Sequence, residues 1–148
     1  MKNIVIFISG RGSNMQAVVQ ANIPGVRVAA VLSDNPDAAG LQWAAAQGIP
    51  TFARRTGDFA SRADFHRAML EVAEQYRPDL VLLAGYLKIL PGEFCAHYQG
   101  RLINIHPSLL PAFPGLHTHQ RAIDEGCRLA GCTVHFVTAE LDCGPIIA

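Results

Sequence analysis

The sequence predicts an α/β fold with a mainly parallel sheet. Two observations carry this. Strand-like apolar runs alternate with helix-like patterns. The first run, Ile4-Val5-Ile6-Phe7-Ile8, is apolar at every position, as in a strand covered on both faces.

The elements follow in order. Residues 3–8 form the opening strand, and residues 14–21 read as a helix. Residues 26–32 make a second strand. Residues 38–47 are an alanine-rich helix, with Gly48 as its stop. Residues 49–52 are a short strand. Residues 61–76 start with a capping-box-like Ser61-Arg62-Ala63-Asp64. Phe65, Met69, Val72 and Tyr76 recur there at helical spacing and read as core. Residues 80–84 are another buried strand. A short helix around residues 93–98 leads into a strand at 102–105. The loop at 106–115 carries three prolines. Residues 119–125 read as helix, 132–137 as strand, and 145–148 as the start of another strand.

Composition narrows the class. The 148 residues suit one domain, and half of them are hydrophobic. A chain of this size buries roughly two-thirds of its unfolded surface and needs no staple. Twelve Lys+Arg balance twelve Asp+Glu, which argues against a general nucleic-acid binder or a polybasic membrane protein. Ten of the twelve cations are Arg, the residue suited to bidentate phosphate or carboxylate recognition. The opening apolar run is too short for a secretory signal. The expectation is a cytoplasmic protein whose Cys95, Cys127, Cys132 and Cys143 are free thiols. No apolar stretch approaches the ~20 residues of a membrane helix.

Three motifs carry chemistry. Ser9-Gly10-Arg11-Gly12-Ser13-Asn14 lies between the first strand and the first helix, a favoured ligand position in an open parallel sheet. Backbone N–H groups there attract an anion. The pattern is neither G-x-G-x-x-G nor a Walker loop, so one phosphate fits better than a pyrophosphate. The alternative is a plain Gly-rich turn with Ser13 or Asn14 as N-cap.

Asn104-Ile105-His106-Pro107-Ser108-Leu109-Leu110-Pro111 is the second motif. Residues two apart in a strand project to one side. Asn104 and His106 therefore offer an amide donor and an imidazole together, a pair able to stabilise an oxyanion and handle a proton. Equally, they could only bond backbone at a strand end. Leu141-Asp142-Cys143-Gly144-Pro145 is the third. Asp142 reads either as turn chemistry or as the carboxylate that orients an imidazole.

Cys127, Cys132 and His135 are spaced C-x4-C-x2-H, which is no zinc framework, so no metal is expected. Cys143 reads as passive, since adjacent Asp142 disfavours a thiolate. In Pro114-Gly115-Leu116-His117-Thr118-His119, the two histidines read either as ligands or general bases or, the preferred reading, as flanking a helix start that Thr118 or His117 caps. His66 reads as a surface residue. His135 stands open between packing and catalysis.

Taken in order, these motifs, with Leu83-Ala84-Gly85-Tyr86-Leu87-Lys88-Ile89-Leu90 and His135-Phe136-Val137, resemble the phosphoribosylglycinamide formyltransferases, a family of folate-dependent formyltransferases. The likeness spans the chain. It implies a doubly wound, mostly parallel open sheet with helices on both faces, a Rossmann-like formyltransferase fold. It implies formyl transfer from 10-formyltetrahydrofolate to glycinamide ribonucleotide in purine biosynthesis, with no metal, nucleic acid or membrane partner, by a monomer or homodimer. Asn104, His106 and Asp142 match the family's catalytic group, and His135 a supporting histidine. Gly10, Arg11, Gly12, Ser13 and Asn14 match the substrate-phosphate loop. Arg62, Leu87, Lys88, Ile89, Leu90 and Asn104 match folate contacts; the family often has Arg at position 88. Members continue for several tens of residues past the Asp-x-Gly-Pro segment. The chain is thus expected to be one formyltransferase domain, residues 1–148, truncated at its C-terminus. The competing readings are a 10-formyltetrahydrofolate hydrolase, which usually carries an N-terminal regulatory domain; a methionyl-tRNA formyltransferase, which would lack the Gly-Ser-Asn loop and carry a basic C-terminal domain; and a non-catalytic nucleotide-phosphate-binding module, which would leave residues 104, 106 and 142 without a purpose.

Overall fold

The computed structural model describes all residues, 1–148. Six strands form one sheet: β1 (Lys2–Ile8), β2 (Val26–Ser33), β3 (Thr51–Ala53), β4 (Leu80–Leu83), β5 (Leu102–His106) and β6 (Thr133–Phe136). Five helices connect them: α1 (Ser13–Gln20), α2 (Ala39–Ala46), α3 (Arg62–Gln75), α4 (Gly92–His97) and α5 (Thr118–Asp124). A 3-10 turn at Thr56–Asp58, without a signal in the sequence pattern, precedes α3. The strand order is β3-β2-β1-β4-β5-β6, that of a doubly wound Rossmann-type sheet.

The apolar runs explain the two layers. Val5 and Phe7 of β1 join a core with Phe65 and Met69 of α3 and Phe94 of α4. Ile4, Ile6 and Ile8 face the other way, toward Met15 of α1 and Leu41 and Ala44 of α2. Each fully buried side chain of this kind contributes about 1.5–3 kcal/mol. A strand with alternating polar positions would leave one layer without a floor. Val72 and Tyr76 are only partly buried against the first core.

Pairing is parallel from β3 through β5. β6 runs antiparallel to β5, with Asn104 opposite His135 and His106 opposite Thr133. The terminal residues then pair along β6: Phe136 N–H donates to the Pro145 carbonyl at 2.9 Å and Val134 N–H to the Ala148 carbonyl at 2.8 Å. The expected strand there is a single bridge, Ile146 to His135. The short third strand lies at Thr51–Ala53, slightly later than expected, because Pro50 contributes only its carbonyl, to Val31 N–H. No helix is long and apolar enough to cross a membrane.

Candidate active site

The order of the strands reverses between β1 and β4. Ligands of open α/β sheets sit at such a switch point, outside the carboxyl ends of the strands. The loop after β1 and the loop after β4 meet there. Ser9 N–H donates to the Gly85 carbonyl at 3.1 Å, and Leu87 N–H donates to Ser9 Oγ at 2.9 Å.

The Gly-rich loop is tightly held. Gly12 has φ 67° and is the N-cap of α1, which no side chain caps. Neither Ser13 nor Asn14 is therefore the cap. Gly40 N–H donates to the Gly10 carbonyl at 3.1 Å. A Cβ on Gly40 would crowd the Arg11 carbonyl at 2.8 Å and the Ile8 side chain. Close packing of α2 thus fixes the loop from behind, and Ser13 and Asn14 stay exposed in front.

β5 and β6 build the second part. Asn104 Nδ2 donates to His135 Nε2 at 3.3 Å. His135 Nδ1–H donates to the Phe136 carbonyl at 2.9 Å. A carbonyl only accepts, so this bond assigns the His135 tautomer and leaves Nε2 as the acceptor. His135 is buried and orients the Asn104 amide, whose second N–H remains to be used. The antiparallel turn of β6 makes this possible, since it sets residues 104 and 135 opposite each other.

His106 is held from both sides. Its Nε2–H donates to the Phe113 carbonyl at 2.9 Å. Nδ1 lies 3.5 Å from Asp142 Oδ1, with side chains 7% and 5% exposed. The other carboxylate oxygen accepts from Gly115 N–H at 2.8 Å. Asp142 adopts φ 56°, a conformation Asp tolerates. Gly144 lies against the Phe136 carbonyl so closely that any Cβ would collide with it. That contact draws the 142–144 loop onto the end of β6. Asp142 is both turn residue and partner of an imidazole. At 3.5 Å the His106–Asp142 contact is longer than a good N–H···O bond, so this edge of the ring is its loosely held one. The Ser108 hydroxyl and Thr118 tie the proline loop: Ser108 Oγ donates to the Ala112 carbonyl at 2.6 Å, and Thr118 Oγ1 to the Pro107 carbonyl at 2.7 Å. Thr118 is therefore a loop anchor, not a helix cap; His117, with φ 56°, is the N-cap of α5 and its side chain caps nothing.

The segment after β4 is apolar and open. Leu87 and Ile89 are 71% and 55% exposed. Arg62 Nη2 donates to the Ile89 carbonyl at 2.7 Å, so Arg62 and this segment are brought together. Leu90 is buried in the core, which leaves its backbone, not its side chain, for a ligand. Lys88 Nζ approaches Asp34 Oδ2 at 3.9 Å.

His66 is not a surface residue. It is buried between Phe65, Tyr86 and Phe94. Its Nδ1–H donates to the Arg62 carbonyl at 3.2 Å, and Nε2 accepts from the Tyr86 hydroxyl at 3.1 Å. Desolvation pushes the imidazole below the ordinary histidine range, against a smaller rise from the Arg62 bond. Burial likewise pushes the Tyr86 hydroxyl up, helped by Asp34. The amphipathic pattern of α3 missed this because a histidine reads as polar until a hydroxyl partner is found for it. Cys95 is buried; Cys127, Cys132 and Cys143 are exposed, and all four are free thiols. No three His, Cys, Asp or Glu side chains form a metal-holding group.

Comparison with known proteins points one way. The formyl transferase family model matches residues 2–148. The phosphoribosylglycinamide formyltransferase of Escherichia coli is 49% identical over 149 residues, which are 98% of this chain and 70% of that protein. The solved phosphoribosylglycinamide formyltransferase of Brucella melitensis superposes with a TM-score of 0.93 at 53% identity, over 99% of this chain and 77% of that one. Glycinamide ribonucleotide transformylase 1 of Symbiobacterium toebii gives 0.95 at 45% identity, over 100% and 71%.

Proposed function

The chain belongs to the formyl transferase family, and on that premise we propose that it moves the formyl group of 10-formyltetrahydrofolate onto the amine of glycinamide ribonucleotide. The observation that carries the reading is the His106–Asp142 pair at 3.5 Å, with Asn104, two residues before His106 on β5, aimed by His135. The family requires a folate-derived formyl donor. The acceptor is the one for which the relatives are named. The reaction is a step in purine biosynthesis.

The ribonucleotide phosphate sits on the loop Gly10, Arg11, Gly12, Ser13 and Asn14, where α1 offers uncapped N–H groups and its positive dipole end. Leu87 and Ile89 give the folate ring an apolar surface, and Arg62, Lys88 and the backbone at Leu90 frame it. The ribonucleotide's neutral amine attacks the formyl carbon. A new C–N bond forms and the formyl oxygen becomes an oxyanion. The free N–H of Asn104 donates to it, and a doubly protonated His106 adds positive charge beside it. Because Nε2–H is committed to Phe113, the mobile proton is the one at Nδ1, in the gap to Asp142. The attacking nitrogen gives up one proton and the departing folate nitrogen gains one as the old C–N bond breaks. His106 and Asp142, directly or through water, carry that exchange.

Incubating the protein with both substrates and separating the products tests the reading. Formylated ribonucleotide and tetrahydrofolate in equal amounts are expected. Formate with unchanged ribonucleotide would make it a hydrolase. Ribonucleotide binding without any turnover would make it a nucleotide-phosphate-binding module.

A further inference from the structure

Asp34 directly follows the last residue of β2, the strand beside β1, and has no part in the chemistry above. Its side chain is only 9% exposed. Ser9 Oγ donates to Asp34 Oδ1 at 2.8 Å. Ser9 Oγ itself accepts from Leu87 N–H at 2.9 Å, while Ser9 N–H donates to the Gly85 carbonyl at 3.1 Å. Lys88 Nζ stands 3.9 Å from Asp34 Oδ2.

A serine hydroxyl has one hydrogen. With that hydrogen given to Asp34, a lone pair is turned toward Leu87. The result is a chain of donors, Leu87 N–H to Ser9 O–H to the Asp34 carboxylate, in which each bond polarises the next. Ser9 is the residue before Gly10 of the phosphate loop. Leu87 opens the apolar segment assigned to the folate. The chain thus joins the two loops that the two substrates occupy, and a poorly solvated carboxylate anchors it. A charge this buried strengthens its bonds to Ser9 and draws Lys88 over. Nothing in the reaction itself needs these contacts.

We propose that Asp34 is a positioning residue which, through Ser9, couples the two substrate subsites. A ligand on the phosphate loop steadies residues 87–90 for the folate, and a bound folate steadies the phosphate loop. The proposal rests on the function proposed above. By linkage the coupling factor is the same in both directions.

Calorimetry with unreactive probes tests it. Ribose 5-phosphate occupies the phosphate loop but lacks the glycinamide end that meets the folate. Tetrahydrofolate lacks the formyl group. In the unaltered protein, saturating ribose 5-phosphate should tighten tetrahydrofolate binding by about fivefold or more, the lower end of usual couplings. Ser9→Ala and Asp34→Ala should bring that factor below about twofold. Asp34→Asn keeps an acceptor for Ser9 and should give an intermediate factor, and it serves as the test if Asp34→Ala does not fold. A merely structural role would weaken each ligand alone and leave the factor unchanged. A factor near one in the unaltered protein, or an unchanged factor in Ser9→Ala, overturns the proposal. Formyl transfer, assayed separately, stands or falls on its own.

Discussion

Asp142 holds the His106 ring at 3.5 Å with one oxygen and the Gly115 N–H at 2.8 Å with the other. The second bond aims the carboxylate, and the first leaves room for a proton to move. The ring cannot turn away, since Nε2–H is bonded to the Phe113 carbonyl. His106→Ala should therefore lower kcat by about 10²–10⁴, with both substrate affinities much less affected. Asp142→Asn should also lower kcat, because an amide can neither hold the shared proton nor balance a charged ring. Steady-state kinetics with calorimetric affinities separates the outcomes. A His106→Ala protein that turns over normally but has lost folate affinity would make His106 a binding group.

His135 is bonded to Asn104. Its Nε2 is the acceptor that turns the amide. His135→Phe fills the same space and removes that acceptor, so a part-buried amide N–H loses its partner, at a cost of about 1 kcal/mol. The expected result is a fall in kcat with little change in KM. His135→Gln should recover part of it, as its side-chain oxygen can accept from Asn104. Equal loss in both variants would point to packing around residue 135 instead.

Gly12→Val should abolish ribonucleotide binding and leave folate binding largely intact. The position has φ 67°, and a Cβ would stand 2.9 Å from the Met15 side chain. A β-branched residue there forces the loop open. Tetrahydrofolate binding by the same variant is the control, and loss of both ligands would indicate a general fold defect.

Much of this architecture can be read from the sequence, and the failures have causes. The runs at β1, β2 and β4 are legible because burial on both faces removes polar alternation. Ser61 is legible as a cap, and its hydroxyl does accept from Asp64 N–H at 3.1 Å. Asn104 and His106 share a face by simple strand geometry. The antiparallel turn of β6 is not legible, since direction depends on the path of the chain between residues 106 and 133. The role of His135 is not legible for the same reason. Asp34 gives no signal because its partner Ser9 is 25 residues away and only the sheet order brings them together. The burial of His66 is hidden because its partner is the Tyr86 hydroxyl, likewise distant in sequence.

That buried histidine gives a signed pH dependence. Desolvation holds the His66 imidazole below its ordinary value; the bond to the Arg62 carbonyl and the charge of Asp34 oppose this, and the charges of Arg62 and Lys88 add to it. In the unfolded chain the same group titrates near ~6.5. Between the folded and unfolded values the unfolded chain binds more protons, so stability rises with pH. The contribution is fully present above ~6.5 and is lost as pH falls toward the folded value, with a slope of at most about 1.4 kcal/mol per pH unit. His66→Gln can still donate to the Arg62 carbonyl and accept from the Tyr86 hydroxyl, but it does not titrate. Urea unfolding of both proteins from neutral pH downward isolates the group, because other titrations cancel in the difference. The stability of the unaltered protein minus that of His66→Gln should be flat above ~6.5 and fall below it. A difference that stays flat into the acid range, or rises there, would show that His66 is not held neutral by its burial.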